Sequence, residues 1–142
     1  DVAEVLGELA RRDGVFSLDF MVSSAATAIP AAARHLSRAR LVFTNAAEHD
    51  TLAGFVDTDD LPAVVVTDGP HTARLYRHGR PTASVDPPPI VAGRVTGAGD
   101  TVAGAFLAAW TAGLPDTDAL SLAIAAGSAH TTSPPITPLT TP

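Results

Sequence analysis

Residues 94–106, RVTGAGDTVAGAF, carry the densest chemical content in the chain. Gly97, Ala98 and Gly99 run into the carboxylate of Asp100, and from there into an apolar segment with the makeup of a helix. Glycines ahead of a helix let backbone N–H groups converge on a ligand that side chains would block. The first helical turn adds unpaired N–H donors and about half a positive charge. Together these make a site for a phosphate or a developing oxyanion. An ionised carboxylate beside it can take the proton of a hydroxyl attacking phosphorus, while the N–H groups hold the transferred phosphoryl group. The same residues also suit a blander role, with Asp100 capping a helix after a tight glycine turn.

Competing phosphate motifs fall away. The chain has no G-x-x-x-x-G-K-S/T sequence and no lysine at all, which excludes a P-loop. The third glycine of GAGDTVAG comes too late for a dinucleotide fingerprint. No G-x-S-x-G elbow exists for a serine hydrolase. His35, His49, His71 and His78 show no zinc spacing and have no cysteine partners. His130 suits a surface or hydrogen-bonded histidine at a helix end. From the residues alone, Asn45 and Glu48 in TNAAEH fit a strand-end turn with helix capping. Thr67 and Gly69 in TDGP fit a β-turn.

These residues need a frame that brings them together. Val2, Val5, Leu6 and Leu9 keep helical spacing, so residues 2–12 are expected as an amphipathic helix stopped by Gly14. VFSLDF (15–20) and LVFT (41–44) are expected strands, and AVVVT (63–67) is the clearest one, an apolar β-branched run of the kind parallel sheets bury on both faces. Pro30 suits the first turn of a helix over roughly 29–38. Further helices are expected at about 46–55, 100–112 and 117–130. ARLYR and TASVD flank HGRP and predict a hairpin with Gly79 in its turn. Strands alternating with helices across short links predict a three-layer α/β domain, its mostly parallel sheet covered by helices on both faces. The Pro/Thr-rich stretch 133–142 is expected to be a tail outside that domain.

Composition removes other classes of function. The 142 residues suit one domain with one real core. With 46% hydrophobic and 17% charged residues, the chain is globular rather than disordered. The net charge is −6 and all the basic residues are scattered arginines, so nucleic acid is not an expected partner. No apolar run approaches the roughly 20 residues of a membrane span, so no membrane is expected either. The N-terminal stretch lacks the basic and unbroken apolar regions of a signal peptide. A cytoplasmic protein is the expectation. The chain lacks an initiator Met and is expected to be a fragment or a processed piece.

VTGAGDTVAGAF resembles the C-terminal signature of the PfkB (ribokinase-like) carbohydrate kinases, approximately D-T-x-G-A-G-D-x-F. TNAAEHDTLAG (44–54) is similar to the family's N-x-x-E motif, and AVVVTDG (63–69) to its strand ending in T-x-G. GVFSLDF (14–20) resembles a family strand that ends in Asp. These motifs come in the family's order and the likeness spans roughly residues 1–132. It implies a ribokinase-like fold with its N-terminal half absent, because full members are about twice this length. The implied activity is transfer of the ATP γ-phosphoryl group to a hydroxyl of a sugar or nucleoside.

The resemblance also distributes roles. Asp100 would be the catalytic base, and the backbone of Gly97, Ala98 and Gly99 the anion hole. Asn45 and Glu48 would place Mg2+ and phosphate, largely through water, as suits a hard cation. Asn45, Thr67, Gly69, Thr96, Gly97 and Gly99 would bind the nucleotide. Arg94 and Val95 stand where the family has its D-T pair, whose Asp helps form a monovalent-cation site in many members. Potassium is therefore not expected, with the Arg94 guanidinium filling that space. The missing half carries the substrate motif, and a homodimer of the complete enzyme stays open. The competing expectation is a non-catalytic nucleotide-binding module, or a degenerate remnant with a structural role.

Overall fold

The computed structural model describes residues 1–20, 22–89 and 95–132. Arg94 and the tail 133–142, on which two of the expectations above rest, lie outside them. In chain order the elements are α1 (Val2–Arg11), β1 (Ser17–Asp19), α2 (Val22–Leu36), β2 (Leu41–Asn45) and α3 (Ala46–Ala53). A 3-10 turn at Thr58–Asp60 leads to β3 (Val64–Asp68), β4 (His71–Arg77), β5 (Arg80–Val85), α4 (Ala98–Thr111) and α5 (Asp116–Thr132).

The strands form one sheet in the order β1-β2-β3-β4-β5. β1, β2 and β3 run parallel, and β3, β4 and β5 antiparallel. The sheet is thus mixed, because the expected hairpin joins it at β3. His78 and Gly79 both have positive φ, 46° and 70°, the signature of a tight hairpin turn matched to strand twist. β1 forms one edge, and its outer side pairs with no described strand.

Side-chain alternation along β2 builds the three layers. Leu41 and Phe43 enter a core with β3, β4, α4 and α5, centred on the fully buried Phe106. Val42 faces the opposite way, into a core with α1, α2 and α3 that holds Ile29, Leu36 and Leu52. Both faces of β2 and of the start of β3 are therefore dry, as their continuous apolar runs require.

Two elements differ from their expected bounds. β1 is only Ser17–Asp19, because its register with β2 starts at Ser17 opposite Leu41. α2 begins at Val22 instead of 29, so Pro30 sits inside the helix rather than in its first turn. Ala25, Ile29, Ala32 and Leu36 form one buried face that runs past the proline. Packing along that face offsets the loss of one backbone hydrogen bond.

At the end of the sheet near the start of α5, Arg77 donates to both carboxylate oxygens of Asp116 at 2.6 Å. Two guanidinium groups lie over the Trp110 indole, Arg40 at 5.3 Å and Arg77 at 5.2 Å from the ring centre. Arg77 holds the Asp116 carboxyl below the usual carboxylate range, chiefly by hydrogen bonding. This cluster clamps the hairpin to α4 and α5, far along the chain from the glycine turn.

Candidate active site

Parallel pairing places Asp19 beside Phe43, and Asn45 beside Thr67. The C-terminal ends of β1, β2 and β3 thereby form one rim, the usual place for ligands in open α/β sheets. The glycine turn closes over this rim from the other side. Ala98 N–H donates to Val95 O at 3.1 Å, and Gly97 has φ 84° and ψ 0°. Those angles belong to the third residue of a type II turn, a position that favours glycine. Thr101 then closes the first helical turn onto Gly97 O through both its N–H, at 3.0 Å, and its hydroxyl, at 2.8 Å.

α4 therefore starts at Ala98, two residues earlier than expected. Gly97 is the N-cap and no side chain caps the helix, so Asp100 lies within the first turn and is not a capping residue. The bland reading of Asp100 loses its basis. The Ala98 N–H, one of the three expected anion-hole donors, is already taken by Val95 O. Gly97, Gly99 and Asp100 remain at the helix start with N–H groups that α4 itself does not engage.

A cleft of about 370 Å³ is lined by Asp19, Asn45, Glu48, Thr67, Gly97, Gly99 and Asp100, together with apolar side chains of the strands. Three carboxylates share it, and among the described residues no basic side chain is in its lining. The Asp19 carboxyl is pushed up from 3.8 to about 6, by burial first, then by the negative charges of Asp100 and Glu48.

The donor chemistry fits Mg2+, which favours oxygen ligands and keeps several waters. Among the described residues, no three carboxylates or imidazoles stand close enough to hold a metal directly. Asn45 and Glu48 form a capping box on α3. Asn45 Oδ1 accepts from Glu48 N–H at 2.9 Å, and Glu48 Oε2 accepts from Asn45 N–H at 2.8 Å. The capping read from residues alone is present, and the box also holds the buried Glu48 carboxylate in the cleft wall.

A second cleft of about 240 Å³ adjoins the first, sharing Thr67, Val95, Gly99 and Val102 with it. Gly69, Ile124, Gly127 and Thr131 complete a more apolar lining. Thr67 and Gly69, expected at the nucleotide, thus meet Gly99 across this cleft. Thr96 joins neither lining, and its carbonyl accepts from His130 instead. Asp19 was visible in the sequence only as the last polar residue of a strand. Its membership of the site depends on β1–β2 register.

The model of the pfkB family carbohydrate kinases matches residues 1–140. The chain belongs to the pfkB family. A comparison with curated proteins gives no match. Among solved structures, this pfkB chain is similar to an E. coli ribokinase II in complex with ATP and Mg2+, with TM-score 0.74 and 24% identity. That match covers 94% of this chain and 47% of the other. Adenosine kinase from Schistosoma mansoni in complex with 2-fluoroadenosine gives TM-score 0.74 at 16% identity, covering 94% and 46%. A Burkholderia thailandensis nucleoside kinase in complex with inosine gives 0.70 at 21%, covering 89% and 44%. The pfkB chain described here therefore has the ribokinase-like fold and spans about half the length of the structures it matches. Among its described residues, no helix is long and apolar enough to cross a membrane.

Proposed function

We propose that this chain forms the nucleotide side and the catalytic base of a kinase acting on a sugar or nucleoside hydroxyl. The carrying observation is that Asp100 and the Gly97 and Gly99 backbone line one cleft at the mouth of α4, together with the carboxylates of Asp19 and Glu48. Asp100 would take the proton of the attacking hydroxyl as its oxygen bonds to the γ-phosphorus of ATP. The bond from that phosphorus to the bridging oxygen breaks, and ADP leaves. N–H groups of Gly97, Gly99 and Asp100 would hold the oxygens of the moving phosphoryl group, so that positioning and electrostatics supply most of the rate.

Asn45 and Glu48, with Asp19 nearby, would hold Mg2+ through water, and bound there it would offset phosphate charge. The adjoining cleft would take the nucleoside end of ATP, with Thr67 and Gly69 at the passage between the two. Binding of ATP and Mg2+ by the E. coli relative, and of nucleosides by the other two, supports the substrate class.

The test begins with calorimetric titration of the chain with ATP and Mg2+. It continues with turnover of sugars and nucleosides by the protein in full, as wild type and as Asp100→Asn. The variant should lose turnover by roughly two to four orders of magnitude while keeping ATP affinity. Intact turnover would remove Asp100 from the mechanism. Failure of the wild type to bind ATP at all would favour a structural remnant.

A further inference from the structure

His130 lies near the end of α5, about one helical turn beyond Gly127. A Cβ added at Gly127 would come within 2.5 Å of Val102 Cγ2 and 3.3 Å of Ala98 O, so the helices touch here backbone to side chain. That close approach fixes α5 against the first turns of α4 and sets the imidazole over the glycine turn. His130 Nε2 is 2.9 Å from Thr96 O, and a Cβ built on Gly97 would stand 3.1 Å from the same nitrogen. A carbonyl oxygen only accepts, so Nε2 carries the proton of this bond.

We propose that His130 is a positioning residue that fixes the Thr96–Gly97 peptide and so aims the Gly97 N–H into the acid cleft. In a trans peptide the C=O and N–H of one unit point in opposite directions. With Thr96 O held toward α5, the Gly97 N–H points away from α5. Consistently, Gly97 lines the acid cleft but not the second cleft, which α5 walls. Type I and type II turns differ by a flip of this central peptide. Glycine tolerates either arrangement, so the backbone alone does not choose between them. The imidazole does, by holding the Thr96 carbonyl.

This inference rests on the reading of the turn as a phosphate site, but its effect on the turn can be measured separately. The chain would be studied as wild type, His130→Leu and His130→Gln, the last retaining an N–H donor of similar reach. Backbone NMR would follow the Gly97 and Ala98 resonances. A titration with inorganic phosphate and Mg2+ would be read at the Gly97 and Gly99 amides. The Leu variant should shift Gly97 and Ala98, leave the signals of α3 in place and weaken phosphate binding by about tenfold, the equivalent of one hydrogen bond. The Gln variant should restore both. Unchanged Gly97 resonances in a folded Leu variant would overturn the tether. Shifted resonances with unchanged phosphate affinity would overturn the aiming of Gly97 N–H. No phosphate binding by the wild type would overturn the phosphate-site reading, and the Gly97 resonances would then decide the tether alone.

Discussion

Replacing Asp19 with Asn should stabilise the chain at neutral pH and weaken the site it belongs to. Asp19 ends β1 in a cleft with two other carboxylates and has its carboxyl raised from 3.8 to about 6. A displacement of that size corresponds to about 3 kcal/mol for a carboxyl sealed from water. The Asp19 carboxyl is only half-buried, so solvent screening reduces the figure to about 1 kcal/mol. Between roughly pH 4 and pH 6 the folded chain keeps a proton that the unfolded chain has released, so this group's contribution to stability falls as pH rises. Its full cost is present above pH 6. Asn bears no proton and escapes that cost. The variant should therefore melt roughly 3 °C above wild type at pH 7.5, with the gap closing below pH 4. Thermal and urea unfolding at both pH values measure this, and Mg2+ affinity should fall in the same variant. An equal gap at both pH values, or a less stable variant at pH 7.5, would refute the argument from desolvation and charge repulsion.

Gly97→Ala places a Cβ at φ 84° and 3.1 Å from His130 Nε2, and should cost about 1–2 kcal/mol in unfolding experiments. It should also abolish Mg2+-dependent phosphate binding, which calorimetry would detect. Arg77→Ala removes two 2.6 Å hydrogen bonds to Asp116 and one face of the Trp110 contact, an expected loss of about 1–2 kcal/mol at neutral pH. Because Arg77 depresses the Asp116 carboxyl, this contribution is present above the ordinary carboxylate range and disappears as pH falls through the lowered value. A double-mutant cycle with Asp116→Asn at pH 7 and pH 3 checks both points.

The parts of this molecule legible in its sequence were those governed by neighbours in the chain. The β-branched run Val64–Thr67, the His78–Gly79 turn and the helix after Gly97 each carry their own local cause. The start of α2 was not legible, because Pro30 locally favours a helix start. A buried face that includes Ala25 and Ile29 overrides that preference, and it exists only once β2 and α1 are in place. The site divides in the same way. The Gly97–Asp100 segment could be read from its glycines and acid, whereas the Asn45–Glu48 pair read from its residues as a helix cap and its site role came only from the family resemblance. Asp19 could not be placed, since β1 reaches β2 across a helix and its register is a long-range fact. Likewise, nothing near Thr96 in the chain announces that an imidazole 34 residues later will hold its carbonyl.

β1 is both the margin of the sheet and the strand that delivers Asp19 to the cleft. A strand added along its outer side would gain backbone hydrogen bonds, and its own side chains would emerge beside that carboxylate. Joining this edge and finishing the walls of the cleft would then be one event. Substrate preference could change by exchanging the neighbour of β1, with the glycine turn and its acids left as they are.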